Sequence, residues 1–253
     1  MLALRPFLLA VSFLTRLPVR ISGDLREADL ASTAAWFPLV GALVGGLVGV
    51  VEWSGTVVAG PLVGPALAVL ATALVTGGLH LDGAADTVDG LASGPDRARA
   101  LAVMRDSRVG AFGALTVGLD VLMRFALLVS VAPSRRWPAL IGSAVAGRSA
   151  VVWAVARFPY ARAVPGLGSP FARRVRPARL LMAGCLAAAT TGVLAVGAGW
   201  RAPLGLGLAL LAGALAAFAL NDRLGGLTGD TYGFVNEVAE IAALLAWASR
   251  WSP

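Results

Sequence analysis

A chain of 253 residues with 14% charged and 58% hydrophobic residues and a mean hydropathy of +0.79 is not built as a water-soluble domain, because soluble domains carry roughly 25% charged residues. The formal charge of +7 and pI near 11.2 come from arginine alone, and the arginines lie between apolar runs. That placement argues against nucleic acid as a partner and for membrane topology and contacts to lipid or substrate phosphates, while the single Cys185 excludes an intramolecular disulfide.

A bilayer core about 30 Å thick takes about 20 apolar residues per helix. The first apolar segment, Leu2 to Leu17, is shorter and flanked by Arg5, Pro6 and Arg16. It reads as a short interfacial or re-entrant helix without a signal-peptide cleavage site. Seven longer runs follow: Thr33 to Val51, Thr56 to Leu79, Val109 to Ala132, Ala139 to Phe158, Leu180 to Gly199, Pro203 to Leu220 and Val235 to Trp251. The expectation is an all-α, polytopic integral membrane helix bundle of about seven spans, forming a single domain over residues 1–253. Gly41, Gly45 and Gly49 make a small-residue ladder that lets a neighbouring helix approach closely.

Arginine placement orients the bundle. Loops around residues 16–30, 80–108, 157–179 and 221–234 carry Arg16, Arg20, Arg26, Arg97, Arg99, Arg105, Arg108, Arg157, Arg162, Arg173, Arg174, Arg176, Arg179 and Arg223. The opposite side has Arg135, Arg136, Arg201 and Arg250. The positive-inside rule makes the arginine-rich side cytoplasmic, in an inner or plasma membrane.

Four polar patches carry candidate chemistry, and three lie on that side. In Gly77-Gly78-Leu79-His80-Leu81-Asp82-Gly83-Ala84-Ala85-Asp86-Thr87-Val88-Asp89-Gly90, a helix puts Asp82, Asp86 and Asp89 on one face at i, i+4 and i+7. Three like charges there call for a counter-charge, and a divalent ion such as Mg²⁺, which prefers carboxylate oxygens, supplies it. His80 stands two residues from Asp82 and is a candidate for proton transfer or ligation. In Met104-Arg105-Asp106-Ser107-Arg108-Val109-Gly110-Ala111-Phe112-Gly113, two arginines and glycines precede a helix, which suits a phosphate-bearing substrate. In Asn221-Asp222-Arg223-Leu224-Gly225-Gly226-Leu227-Thr228-Gly229-Asp230, glycines such as Gly229 permit tight backbone and Asp230 adds a further metal ligand. Glu237 and Glu240 follow in the first turns of the last span, where a carboxylate must be paired or metal-bound. The fourth patch is intrahelical: Asp120 and Arg124 neutralise each other at i, i+4, and Arg148 faces the bundle interior within reach of substrate.

The runs GGLHLDGAADTVDG, MRDSRVGAFG and GLTGDTYGFVNEVAE, in that order, resemble the cobalamin-5′-phosphate synthase family, the adenosylcobinamide-GDP ribazoletransferases. Phe13 to Val19 and Gly147-Arg148 extend the resemblance over nearly the whole chain. It implies a membrane enzyme that uses Mg²⁺ to join adenosylcobinamide-GDP to α-ribazole or its 5′-phosphate, releasing GMP, late in cobalamin biosynthesis. It implies Asp82, Asp86 and Asp89 holding Mg²⁺ against the diphosphate, with Asp230 and Glu237 as further ligands. Arg105, Asp106, Arg108, Arg148, Gly229 and Asp230 would contact substrate, and the general base would come from Asp89, His80 or Asp230. Arg105 stands where lysine is expected in many relatives. Membrane lipid, other enzymes of the pathway or a second copy of the chain are the expected partners.

Rival classes are other membrane group transferases and secondary transporters. Against a CDP-alcohol phosphatidyltransferase, Asp82-Gly83-Ala84 is followed by Ala85 where arginine is expected. Against a transporter, no inverted repeat is visible and the polar motifs gather at one membrane face.

Overall fold

The computed structural model describes residues 4–21, 27–164, 166, 168–172 and 175–249. Of the arginines that orient the chain, Arg26, Arg173, Arg174 and Arg250 lie outside the described residues. Among the described residues the regular structure is helical, with one isolated bridge between Tyr160 and Leu227. Helix α1 spans Leu4–Leu14, and α2 (Glu27–Thr33) runs through a 3₁₀ turn into α3 (Phe37–Ala59). Then come α4 (Val63–Thr76), α5 (Leu79–Ala92), α6 (Arg97–Val103), α7 (Ala111–Ser130) and α8 (Pro133–Arg157). Helices α9 (Pro177–Ala198), α10 (Arg201–Leu224) and α11 (Gly229–Ala248) complete the chain. Pro133 and Pro177 each open their helix, where the missing amide hydrogen costs nothing.

Five stretches among the described residues are long and apolar enough to cross a membrane: Asp29–Ala59, α7, α8, α9 and α10. The chain is a multi-pass membrane protein. The run expected from Thr56 to Leu79 is divided. Helix α3 continues to Ala59, Pro61 lies in the connection, and α4 ends at Gly77. Gly77 and Gly78 both take left-handed backbone (φ 65° and 68°), a conformation cheap only for glycine. Two such residues in succession swing the chain through 88°, so α5 does not continue the direction of α4. Taken as one bent span, α4 and α5 make a sixth crossing. Helix α11, expected from Val235, starts at Gly229 and carries Asp230, Glu237 and Glu240 into a packed position among α5, α7, α8 and α10.

The glycine ladder does what its spacing implies. A Cβ on Gly41 would stand 2.5 Å from the carbonyl oxygen of Ala144, and one on Gly45 2.5 Å from that of Leu140. Helices α3 and α8 thus meet backbone to backbone, the close approach that drives association where lipid is as apolar as the side chains. Helix α9 is the opposite case: Leu181, Val193 and Val196 are exposed on it, and so is Cys185.

At one end of the bundle the arginine-rich connections are laced together. Arg97 donates from Nε to the carbonyl of Leu224 (2.5 Å) and from Nη2 to that of Ala161 (2.7 Å). Arg223 donates to the carbonyls of Gly94 and Pro95. The Ala161 amide donates to Leu227 (2.8 Å) and the Leu227 amide to Pro159 (2.8 Å). The amide of Arg16, after α1, donates to Val75 on α4 (2.7 Å). Elsewhere in the bundle, the connection after α3 is anchored by Arg136, whose Nη1 reaches Glu52 (3.1 Å) and the carbonyl of Pro61 (3.1 Å).

Candidate active site

The site forms where α5 crosses α11, and two glycines make the crossing possible. A Cβ on Gly83 would lie 2.8 Å from the carbonyl oxygen of Asp230, and one on Gly233 2.6 Å from that of His80. The third motif therefore uses glycine to let two backbones touch. Asp230 is fixed in the first turn of α11 by a capping box: the Thr231 amide donates to Thr228 Oγ1 (3.3 Å) and the Thr228 amide to Thr231 Oγ1 (2.7 Å). This brings the first and third motifs together although they are far apart in the chain.

Asp82 is exposed and Asp86 half-buried on one face of α5. Asp230 accepts from Arg162 Nη2 at 2.7 Å and from Thr228 Oγ1 at 3.3 Å. His80 is buried.

Behind Asp82 and Asp230 lies a cavity of about 240 Å³. Its walls include Phe13, Phe37, Phe171, Val155, Tyr160 and Tyr232, with Arg162 at the polar end beside Asp230. The hydroxyls of Tyr160 and Tyr232 and Nε of Arg162 are buried without a hydrogen-bond partner. Arg162 also borders an open groove of about 490 Å³ lined by Arg97 and Arg105. Sequence reasoning used Arg97 and Arg162 only for topology and passed over Tyr160 altogether. The loop that holds Arg162 and Tyr160 has no periodicity to mark it.

Three expected site residues are engaged elsewhere. Asp89 turns from the aspartate face to α7, where its carboxylate accepts the amides of Gly110 (2.7 Å) and Gly113 (2.8 Å). It serves as the cap that the start of α7 lacks locally, and a charge suits that helix end. Asp106 and Arg108 pair with each other at 2.6 Å, and Arg108 is 87% exposed. Of that motif Arg105 alone reaches the groove, donating to the Val164 carbonyl at 3.3 Å.

Glu237 and Arg148 belong to a buried charge network. Arg124 donates to Asp120 (2.7 Å), to Glu240 (2.6 Å) and to Glu237, and Arg148 donates to Glu240. Asn236 bridges Glu237 (3.1 Å) and Glu240 (2.9 Å). The local pairing of Asp120 with Arg124 is as expected. Glu237, expected as a metal ligand, is here a partner of Arg124, because a buried guanidinium with several donors requires several acceptors. Arg148, 1% exposed, is likewise held by Glu240 and lies outside both the cavity and the groove.

Among the described residues no three His, Cys, Asp or Glu side chains could together hold a metal ion. Mg²⁺ does not require three: it keeps several waters and takes one or two carboxylates plus substrate phosphates. Asp82 and Asp86 on one helix face fit that donor set; Asp89 accepts two amides of α7, and Glu237 is paired with Arg124.

A family model described as cobalamin-5-phosphate synthase matches residues 6–248. An adenosylcobinamide-GDP ribazoletransferase of Syntrophobacter fumaroxidans is 41% identical over 96% of this chain and 97% of its own length. One from Leptothrix cholodnii is 38% identical over 98% and 96%, and one from Clostridium novyi 34% over 97% and 97%. No solved structure matches. With matches that run nearly the length of the chain, the chain belongs to the cobalamin-5-phosphate synthase family.

Proposed function

We propose that this protein joins adenosylcobinamide-GDP to α-ribazole, or to α-ribazole 5′-phosphate, forming adenosylcobalamin or its phosphate and releasing GMP. The observation that carries the reading is the meeting of Asp82 with Asp230 and Arg162 around one cavity, with Asp86 one turn further along α5 and a groove lined by arginines alongside. A ribose hydroxyl of the acceptor attacks the phosphorus borne by cobinamide. A new P–O bond forms, the P–O bond to GMP breaks, and the hydroxyl proton passes to a carboxylate. Asp230, which lines the cavity beside Arg162, is the carboxylate best placed for that proton, since Asp89 is engaged with α7. Arg162 and Arg105 face the negative charge that gathers on the departing nucleotide. Asp82 and Asp86 would hold Mg²⁺, which when bound would offset the charge of the diphosphate. The arginine-rich end faces the cytoplasm in this reading, and a reporter fused after Gly94 is expected to read cytoplasmic.

Purified protein incubated with adenosylcobinamide-GDP, α-ribazole and Mg²⁺ should release GMP. Absence of GMP from well-folded protein would overturn the assignment.

A further inference from the structure

The cavity and the groove share Arg162 but differ in shape and in the groups they offer. The groove is open, with Arg97, Arg105 and Arg162 among small apolar residues; the cavity is more enclosed, with the rings of Phe13, Phe37 and Phe171 on one part of its wall and His80, Asp82 and Asp230 on another, and with two tyrosine hydroxyls and one guanidinium Nε unpartnered. From this contrast we infer that the cavity is the acceptor pocket: it takes the flat, apolar heteroaromatic base of the α-ribazole nucleoside, leaving its ribose at Asp230 and Arg162. The inference rests on the transferase reading and goes further by assigning the two substrates to separate places.

Size and polarity decide the assignment. At about 240 Å³ the cavity is smaller than the roughly 300–1,000 Å³ of a drug-sized ligand site, so a corrinoid cannot enter and one bicyclic ring can. A guanine ring would bring several edge donors and acceptors, and the part of the wall formed by Phe13, Phe37, Phe171 and Val155 would leave those that face it unpaired. An apolar base with few ring nitrogens loses little there. Phe171 packs against Phe13 and Phe37 with ring centroids 5.1 and 5.6 Å apart, which makes a preformed aromatic wall for a planar ligand. The Tyr160 and Tyr232 hydroxyls are the donors left for a ring nitrogen or ribose hydroxyl, because a buried hydroxyl without a partner is costly until one arrives. Phosphates of the other substrate stay outside, with Arg97, Arg105 and Arg162.

Two variants test the pocket, with binding and turnover read separately. Val155→Phe fills the cavity from α8; Tyr232→Phe removes one hydroxyl and keeps its ring. Calorimetry with α-ribazole alone on detergent-purified protein should show wild-type binding, weakened at least about tenfold by Val155→Phe and several-fold by Tyr232→Phe. In the GMP-release assay KM for α-ribazole should rise in step, while KM for adenosylcobinamide-GDP stays as in wild type. If Val155→Phe aggregates, Tyr232→Phe carries the test. Unchanged α-ribazole binding and KM in an active, folded variant would remove the pocket and leave the transferase. So would a shift in KM for adenosylcobinamide-GDP instead. A protein that binds α-ribazole in this cavity but releases no GMP would remove the transferase and leave the pocket.

Discussion

Asp89 on α5 accepts the backbone amide of Gly113 on α7 at 2.8 Å, and a side chain on Gly113 would occupy the place of that carboxylate. The last aspartate of the first motif and the last glycine of the second are thus one structural device, a cap supplied by one helix to another. Replacing Asp89 with alanine should cost about 1–2 kcal/mol through loss of the cap, visible as a lower thermal midpoint. Asp89→Asn, which keeps an acceptor, should retain most GMP release. An Asn variant as inactive as one at Asp82 would return Asp89 to the metal site.

Asp82 should behave differently. Asp82→Ala is expected to insert and fold normally but to lose GMP release by at least about a hundredfold, as removal of a metal ligand does. Added Mg²⁺ should raise the thermal midpoint of the wild type, by about 2.7 kcal/mol of stability at a hundred times the dissociation constant. The Asp82→Asn/Asp86→Asn double variant should not respond. An equal response in both proteins would place the ion elsewhere.

Gly233→Ala puts a methyl group 2.6 Å from the His80 carbonyl, where only backbone can give way. Overpacking of this kind costs about 1–3 kcal/mol. Because the same contact sets Asp230 beside Asp82, turnover should fall further than stability does. A variant with reduced stability and full turnover would show that the crossing is not what positions Asp230.

How much of this was legible in the sequence depends on which contacts are local. The i, i+4 relation of Asp82 to Asp86 and of Asp120 to Arg124 follows from helix geometry alone, and both hold. Asp89, one face-step further on, was legible as helical but not as a cap, because its partners Gly110 and Gly113 follow an intervening helix and loop. The break at Gly77-Gly78 was in plain view, yet hydropathy runs on through both glycines and masks it. Glu237 needed a counter-charge, as expected, but nothing near it in the chain identified Arg124 as that partner. Arg162 and Tyr160 sit in an irregular loop whose position depends on hydrogen bonds to Pro159, Ala161 and Leu227, so no pattern in the chain announces them.

The buried network should matter for folding more than for chemistry. Glu240→Gln leaves Arg148 and Arg124 short of a counter-charge among 1–9% exposed side chains, and breaking a buried pair costs about 3–5 kcal/mol. The expected result is a sharp drop in folded protein recovered from the membrane, measured by size-exclusion chromatography. Arg108→Ala, at an exposed pair, should leave recovery unchanged.

Within the exposed pair, Arg108 holds the Asp106 carboxyl down at about 2. A depressed carboxylate stabilises the fold above its unfolded value, and that contribution fades only as pH falls from about 4 toward 2. Asp106→Asn should therefore leave the pH profile of GMP release unmoved between about pH 5 and 9. A new limb in that window would give Asp106 a part in turnover.

The contact between Gly83 and α11 also bears on the order in which the enzyme is made. Helix α5 and its aspartates leave the ribosome well before α11, which carries the backbone they pack against, Asp230, and the Glu240 that pairs with both Arg124 and Arg148. Until then Arg148 lacks its carboxylate partner and Arg124 has Asp120 alone. The packing of α11 onto α5 is thus what brings Asp230 to the α5 aspartates, and a chain cut before Gly229 would lack both Asp230 and Glu240.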